Sequence, residues 1–345
     1  MRVVVTGASG FLGGMLAERL VWTRELGGAP IDRLVLADQV TQSNSALVAD
    51  SLVEVVRGDL AACCQELFDQ PVDVVFHLAA AVSAACEADF ELGLHANVDA
   101  TRAVLDAARA QAAAGGPVVR LVFASSIAVY GSSPDLPLPA VVSETTLPLP
   151  QSSYGTQKLM CEHLITDMTR RGLLDGRVAR LMTVAVRPGA PNAAASGFIS
   201  ALIREPLAAR PTVCPVDPAL RVAVASPRRT IQALTHVAGA ERGTGPGQLA
   251  GVLPVNLPAL TVSVAEILAA LREVAGGDVA DLVSLAPDPA IEAIVGSWPA
   301  VFDSRRAAAL GLRPDPTFLS VVREYVADHR DAVTTAMRPR PRHRT

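Results

Sequence analysis

The first thirteen residues restrict this chain more than any other stretch. Val3-Val4-Val5 is a β-branched apolar run, and Thr6-Gly7-Ala8-Ser9-Gly10-Phe11-Leu12-Gly13 follows it with a glycine at every third position. The pattern predicts a buried strand, a tight turn and a helix from Phe11 to about Leu26. Gly7 permits a turn that a side chain would block, Gly10 lets a pyrophosphate approach the main chain, and Gly13 lets the helix lie against the strand. Amides at the helix start, those of Phe11 and Leu12 among them, then face phosphate oxygens. The stretch reads as a dinucleotide-binding loop.

An acid ending the next strand completes such a site, and Leu34-Val35-Leu36-Ala37-Asp38 supplies one. Asp38 is expected to hold the adenosine ribose hydroxyls. Its offset exceeds the usual ~20 residues, and the loop Gly27-Gly28-Ala29-Pro30 accounts for the excess. No Arg or Lys follows within several positions, so a 2′-phosphate would meet a carboxylate and no cation. NAD is therefore expected rather than NADP.

Strands then alternate with helices, the mark of a parallel sheet in a doubly wound, Rossmann-type α/β fold. Val53-Glu54-Val55-Val56-Arg57 ends in Gly58-Asp59-Leu60, where Asp59 is placed to accept from an adenine amine. Val72-Asp73-Val74-Val75-Phe76 ends in His77-Leu78-Ala79-Ala80-Ala81. Small residues there let the backbone pass beside a cofactor, and His77 reads as structural rather than catalytic. A long helix carries Asn97, Val98, Thr101, Val104, Leu105 and Ala108 on one buried face, so Asn97 needs polar partners. The next strand, Val118 to Phe123, runs into Ala124-Ser125-Ser126, two hydroxyls where the cofactor should lie.

After a Pro-rich loop from Pro134 to Pro150, a helix starting near Ser152 holds Tyr154-Gly155-Thr156-Gln157-Lys158. Residues four apart share a helix face, so the phenol and the ammonium point the same way. A tyrosine with an ordinary pKa of about 10 is a poor base at neutral pH. An adjacent ammonium stabilises the phenolate and brings it toward the working range. Ser126 is then placed to fix a substrate hydroxyl.

A strand is predicted from Val178 to Val186, ending in Arg187-Pro188-Gly189-Ala190-Pro191-Asn192. Beyond it the alternation weakens. The expected division is a dinucleotide-binding domain over 1–188, completed by about 220–250, and a smaller, mixed C-terminal substrate-binding lobe over 189–219 and 251–330. Ser226-Pro227-Arg228-Arg229-Thr230 opens a helix with two guanidinium groups suited to clamping a carboxylate. Ser297-Trp298-Pro299 either walls a pocket or fills a core.

Composition excludes several other classes. The 345 residues are 50% hydrophobic and 19% charged, enough for a sizeable core. No apolar run reaches the roughly eighteen residues of a membrane span, and the chain begins directly with a strand, so no membrane span or signal peptide is expected. Net charge is −4, and with four arginines in the last eight residues the body stands near −8, without the basic face that nucleic acid requires. The Arg-Pro tail, 331–345, is expected to be a disordered end. Cys63, Cys64, Cys86, Cys161 and Cys214 show no metal-ligand spacing and read as reduced fillers of a cytoplasmic protein; no metal is expected.

Taken together these motifs resemble the extended short-chain dehydrogenase/reductase family, also called NAD-dependent epimerase/dehydratase. The resemblance rests on Thr6-Gly7-x-x-Gly10-x-x-Gly13, Asp38, Gly58-Asp59-Leu60, His77-Leu78-Ala79-Ala80, Ser125-Ser126 with Val129-Tyr130-Gly131, Tyr154-x-x-x-Lys158 and Arg187-Pro188-Gly189. It implies a catalytic triad of Ser126, Tyr154 and Lys158. Lys158 would also hold the nicotinamide ribose and Pro188 would border the nicotinamide. Leu60, Leu78, Ala79, Ala80 and Asn97 would line the cofactor, and the helices around Thr101–Ala113 and Tyr154–Arg170 would pair in a homodimer.

A more specific resemblance, to a branch of the family that oxidises C2 of a four-carbon sugar acid, rests on longer matches. These include Ser152 through Lys158, Pro191-Asn192-Ala193-Ala194-Ala195-Ser196, Arg204-Glu205-Pro206-Leu207 and Ser226-Pro227-Arg228-Arg229. It implies that Arg228 or Arg229 binds the carboxylate while Ser125 and Asn192 meet other hydroxyls. Two alternatives stay open: a nucleotide-sugar epimerase on the same fold, and a non-catalytic NAD-binding protein. Dehydration is disfavoured because Ile127-Ala128, and no acid pair, follows Ser126.

Overall fold

The β-branched runs form seven parallel strands, and the central ones, such as Arg2–Thr6 and Val74–His77, are apolar on both faces and buried. The computed structural model describes residues 1–189 and 196–334. The sheet order is Val53–Arg57, Arg33–Asp38, Arg2–Thr6, Val74–His77, Arg120–Ser126, Asp175–Leu181 and Val255–Asn256. The chain thus winds outward from Arg2–Thr6 to one edge and then, from Val74–His77, to the other. The carboxyl ends of those two adjacent strands mark the switch point where such sheets take ligands.

Alternate side chains of each strand serve opposite faces. Val3, Val5, Leu34, Leu36 and Phe76 pack with Leu16 and Leu20 of the Phe11–Thr23 helix and Ile231, Leu234 and Val237 of the Pro227–Gly239 helix. Val4, Val35, Val75, Leu121 and Phe123 pack on the other face with Val104, Leu105, Cys161 and Ile165. The α/β doubly wound reading is therefore observed in the core itself.

Two elements end earlier than their sequence predicts. The first helix stops at Thr23, with Arg24 at φ +57°, and Glu25–Leu26 instead pairs with Ala29–Pro30. Gly27 and Gly28, at φ +60° and +79°, form the two-residue turn between them, so the expected loop is a hairpin. The predicted strand from Val178 to Val186 is two strands. Asp175–Leu181 belongs to the large sheet, whereas Thr183–Val184 joins Arg221–Ala225 in a three-stranded sheet with Leu260–Ser263. The apolar residues on either side of Thr183, Leu181-Met182 and Val184-Ala185-Val186, carry no local mark of a change of sheet.

The chain divides into two compact units. One comprises Met1–Met182, Arg228–Pro258 and Phe302–Arg313; the other comprises Thr183–Pro227, Ala259–Val301 and the residues from Pro314 onward. The second unit has its own core, in which Ile199, Leu202 and Ile203 of the Gly197–Leu207 helix meet Val222, Val224, Ile267, Leu271 and Val322. Trp298 packs against that core. All five cysteines are free, and all but Cys63 are buried. No helix among the described residues is long and apolar enough to cross a membrane.

Candidate active site

The glycine loop is shaped by backbone contacts that exclude side chains. Gly7 has φ +70°, and a Cβ there would lie 2.7 Å from the Ala79 amide nitrogen. On Gly13 a Cβ would meet the Gly7 carbonyl oxygen, a main-chain atom that cannot swing aside. The Phe11–Thr23 helix begins at Gly10 with no side-chain cap, so its first-turn amides are presented as donors for a phosphate. Asp38 lies against this turn: Oδ2 accepts from the Ser9 amide at 2.8 Å and Oδ1 from the Val40 amide at 3.0 Å. The donor set fits a nicotinamide dinucleotide.

Asp59, expected to meet an adenine amine, caps the Leu60–Leu67 helix. Its carboxylate accepts from the Ala62 amide, from Gln39 at 3.1 Å and from His95 at 3.0 Å. Burial works against its ionisation, but the His95 and Ala62 bonds outweigh this and hold the carboxyl below its ordinary range. The side chain of Leu60 is core. Asn97 occupies a π-helical turn, Leu94–Asp99, and is buried. Its carboxamide accepts from the Ala81 amide at 2.8 Å and donates to Gln157 Oε1 at 2.7 Å, bracing the segment after the Val74–His77 strand.

His77 is fully buried between two hydroxyls, with Nδ1 2.7 Å from Thr6 Oγ1 and Nε2 2.8 Å from Thr101 Oγ1. Burial first, and the Lys158 charge second, push its pKa down to about 3, so it is neutral and structural. The unfolded chain binds this proton below pH 6.5 while the folded chain refuses it until about pH 3. Stability is therefore lost as pH falls through that window, by about 2 kcal/mol from this group at pH 5. Urea unfolding of His77→Gln at pH 7.5 and pH 5 should show a smaller acid loss than wild type; equal losses would contradict the assignment.

Ser125 and Ser126 end the Arg120–Ser126 strand, and their hydroxyls part ways. Ser126 Oγ accepts from the Ala128 amide at 3.1 Å and caps the Ile127–Val129 turn. Ser125 is buried and donates to Glu162 Oε1, so its placement does not favour the expected contact with a substrate hydroxyl. Alternation along a strand sends neighbouring side chains to opposite faces, which is why adjacent serines do not share a task.

The Ser153–Arg170 helix is capped by Ser152, whose hydroxyl accepts from the Gly155 amide at 3.1 Å. A Cβ on Gly155 would collide with the Ala128 carbonyl oxygen, so this glycine lets the start of the helix abut the turn that Ser126 caps. Lys158 is buried, donates to the Ala124 carbonyl at 3.0 Å, and sits 4.6 Å above the Phe123 ring and 5.7 Å from the Tyr154 ring centroid. Burial lowers its pKa to about 8, against the opposing pull of Cys161, Cys86 and Glu162. Tyr154 is half-buried. A buried cation beside a half-exposed phenol is suited to moving a proton at the phenol oxygen.

Arg228 is exposed at the start of the Pro227–Gly239 helix, and half-buried Arg229 donates to Gln232 Oε1 at 2.9 Å. Pro188 belongs to the second unit. Asn192 and the tail from Thr335 lie outside the described residues. Sequence reasoning passed over Glu162 and Arg180. The available signal was a charged residue inside the apolar Val178-Ala179-Arg180-Leu181 strand.

The model of the NAD dependent epimerase/dehydratase family matches residues 3–219. The chain belongs to this family. It is 45% identical over 337 residues to D-erythronate dehydrogenase of Cupriavidus necator, covering 95% of this chain and 98% of that one. Identity to D-erythronate dehydrogenase of Haemophilus influenzae is 38% over 328 residues, 94% and 99% of the two chains. Its structure is similar to that of the nucleoside-diphosphate-sugar epimerase from Agrobacterium tumefaciens, with a TM-score of 0.88, 36% identity, and coverage of 96% and 95%.

Proposed function

We propose that this chain is an NAD-dependent dehydrogenase that oxidises the C2 hydroxyl of D-erythronate to 2-dehydro-D-erythronate. The observation that carries the reading is the near full-length identity, 45% and 38%, to two D-erythronate dehydrogenases. The buried Lys158 beside Tyr154, on a helix abutting the Ser126 turn, gives that reading its chemistry.

NAD supplies the hydride acceptor. Tyr154, as phenolate, takes the C2 hydroxyl proton while the C2 hydrogen leaves with its electron pair, so one C–H and one O–H bond are exchanged for a carbonyl. Lys158 stabilises the phenolate by its charge. Ser126 holds the reacting oxygen by hydrogen bonding, and Gly7, Gly10 and Gly13 with the helix amides orient the dinucleotide. Arg228 and Arg229 offer the fork geometry for the acid's carboxylate. The enzyme's free, mostly buried thiols support a cytoplasmic location. It is read as a homodimer because Met160 and Leu164, one turn apart on the Tyr154–Arg170 segment, are exposed.

The deciding experiment follows NADH absorbance when the purified protein and NAD meet D-erythronate, L-threonate, other short aldonates and, separately, UDP-sugars. Turnover with D-erythronate is expected. Conversion of a UDP-sugar without net NADH, and silence with every acid, would move the chain to the epimerase reading.

A further inference from the structure

Behind Ser126 and Lys158 lies a buried polar cluster that the proton transfer above does not use. Glu162 stands one helical turn beyond Lys158, and Arg180 comes from the Asp175–Leu181 strand; each is 2% exposed. Their geometry is a fork on a carboxylate, with Arg180 Nε 2.9 Å from Oε1 and Nη2 2.5 Å from Oε2. The remaining Nη1 donates to the Tyr130 hydroxyl at 2.6 Å. Glu162 Oε1 also accepts a hydrogen bond from the hydroxyl of Ser125, the residue before Ser126. An ion pair at this depth adds little net stability over apolar side chains of the same volume, because desolvation offsets the attraction. What it touches explains it better.

We propose that the Glu162–Arg180 pair is a positioning and charge-balancing device for the catalytic centre. Through Ser125 it ties the strand end that carries Ser126 to the helix that carries Tyr154 and Lys158, and Arg180 keeps the Glu162 charge off the Tyr154–Lys158 couple. The inference rests on the reading that those two residues carry the proton transfer.

The groups that face Lys158 come from four elements. Tyr154, Cys161 and Glu162 share its helix; the Phe123 ring and the Ala124 carbonyl come from the Arg120–Ser126 strand. His77 comes from the Val74–His77 strand and Cys86 from the Ser83–Ala88 helix. His77 is neutral and burial raises both thiols, so of these groups Glu162 is the one held in an ion pair, with Arg180.

The test is the pH profile of kcat/KM for NAD-dependent D-erythronate oxidation in Arg180→Met, Glu162→Gln, the double variant and Ser125→Ala. Each variant is also checked by thermal unfolding and NADH fluorescence titration. Arg180→Met leaves Glu162 uncompensated and should move the acid limb up by about one pH unit; Glu162→Gln should move it down by about as much. The double variant should restore the limb. Ser125→Ala should leave the limb in place and lower kcat about tenfold, with KM for the acid unchanged. A purely structural pair would lower kcat in both single variants without opposite shifts, and that result would overturn the proposal. Should the single variants fail to fold, Ser125→Ala decides, since a wild-type kcat there also overturns it. Tyr154→Phe separates the two readings. Full activity in Tyr154→Phe fails the Tyr154–Lys158 assignment, whereas its inactivity with an unmoved limb in the pair variants fails this inference alone.

Discussion

Tyr154→Phe is expected to lower kcat for D-erythronate oxidation by about 10²- to 10⁴-fold, the range a positioned acid–base group contributes. The substitution removes one oxygen and keeps the ring. It therefore leaves the packing of the Ser153–Arg170 helix, the cap from Ser152 and the Lys158 bond to Ala124 in place. NADH binding, followed by fluorescence, should be unchanged, as should the unfolding midpoint. Loss confined to kcat is the signature of an interaction made in the transition state. A Tyr154→Phe enzyme retaining more than about a tenth of wild-type kcat would rule out the phenol as the base.

The second large effect lies in the cofactor loop. At Gly13 a Cβ would overlap the Gly7 carbonyl oxygen and lie 2.9 Å from Ala8 Cα, all main chain, so the Phe11–Thr23 helix must shift off the strand. That shift carries the first-turn amides away from the phosphate position. Gly13→Ala should weaken NAD binding by about a hundredfold or more and destabilise the fold by about 1–3 kcal/mol. Gly14 provides the control. Its Cβ would sit 3.7 Å from the Ala8 carbonyl, in ordinary contact, so Gly14→Ala should keep NAD affinity and gain roughly 0.5–1 kcal/mol of helix stability. Isothermal titration with NAD and urea unfolding on the two variants check both halves. Equal NAD affinity in Gly13→Ala and Gly14→Ala would refute the role given to the first.

Much of this site is legible in the sequence because it is local. The glycine spacing, the strand before it and the helix after it occupy one continuous stretch, and Tyr154 and Lys158 share a face by helix period alone. What escaped depends on neighbours distant in the chain. Ser125 and Ser126 read as a pair, yet one is committed to Glu162 and the other caps a turn. Asp59 reads as a free acceptor, yet His95 and Gln39 converge on it from other elements. The change of sheet at Thr183 has no local signature, since Leu181-Met182 before it and Val184-Ala185-Val186 after it are all apolar. Gly27-Gly28, by contrast, held a readable hairpin signal that a flanking helix pattern obscured.

The interleaving of the two units has a consequence for how the molecule is made. The first unit is built from three separated stretches of chain, and its last contribution, Phe302–Arg313, buries Ala307, Leu310 and Leu312 in the same core as Val3 and Leu16. During synthesis, the Arg2–Thr6 strand is made long before Phe302–Arg313, so that face of its sheet is not fully covered until the later stretch has emerged. A nascent chain halted anywhere before Phe302 would display an unfinished apolar surface, making chaperone dependence and aggregation of truncated products the expected companions of this architecture.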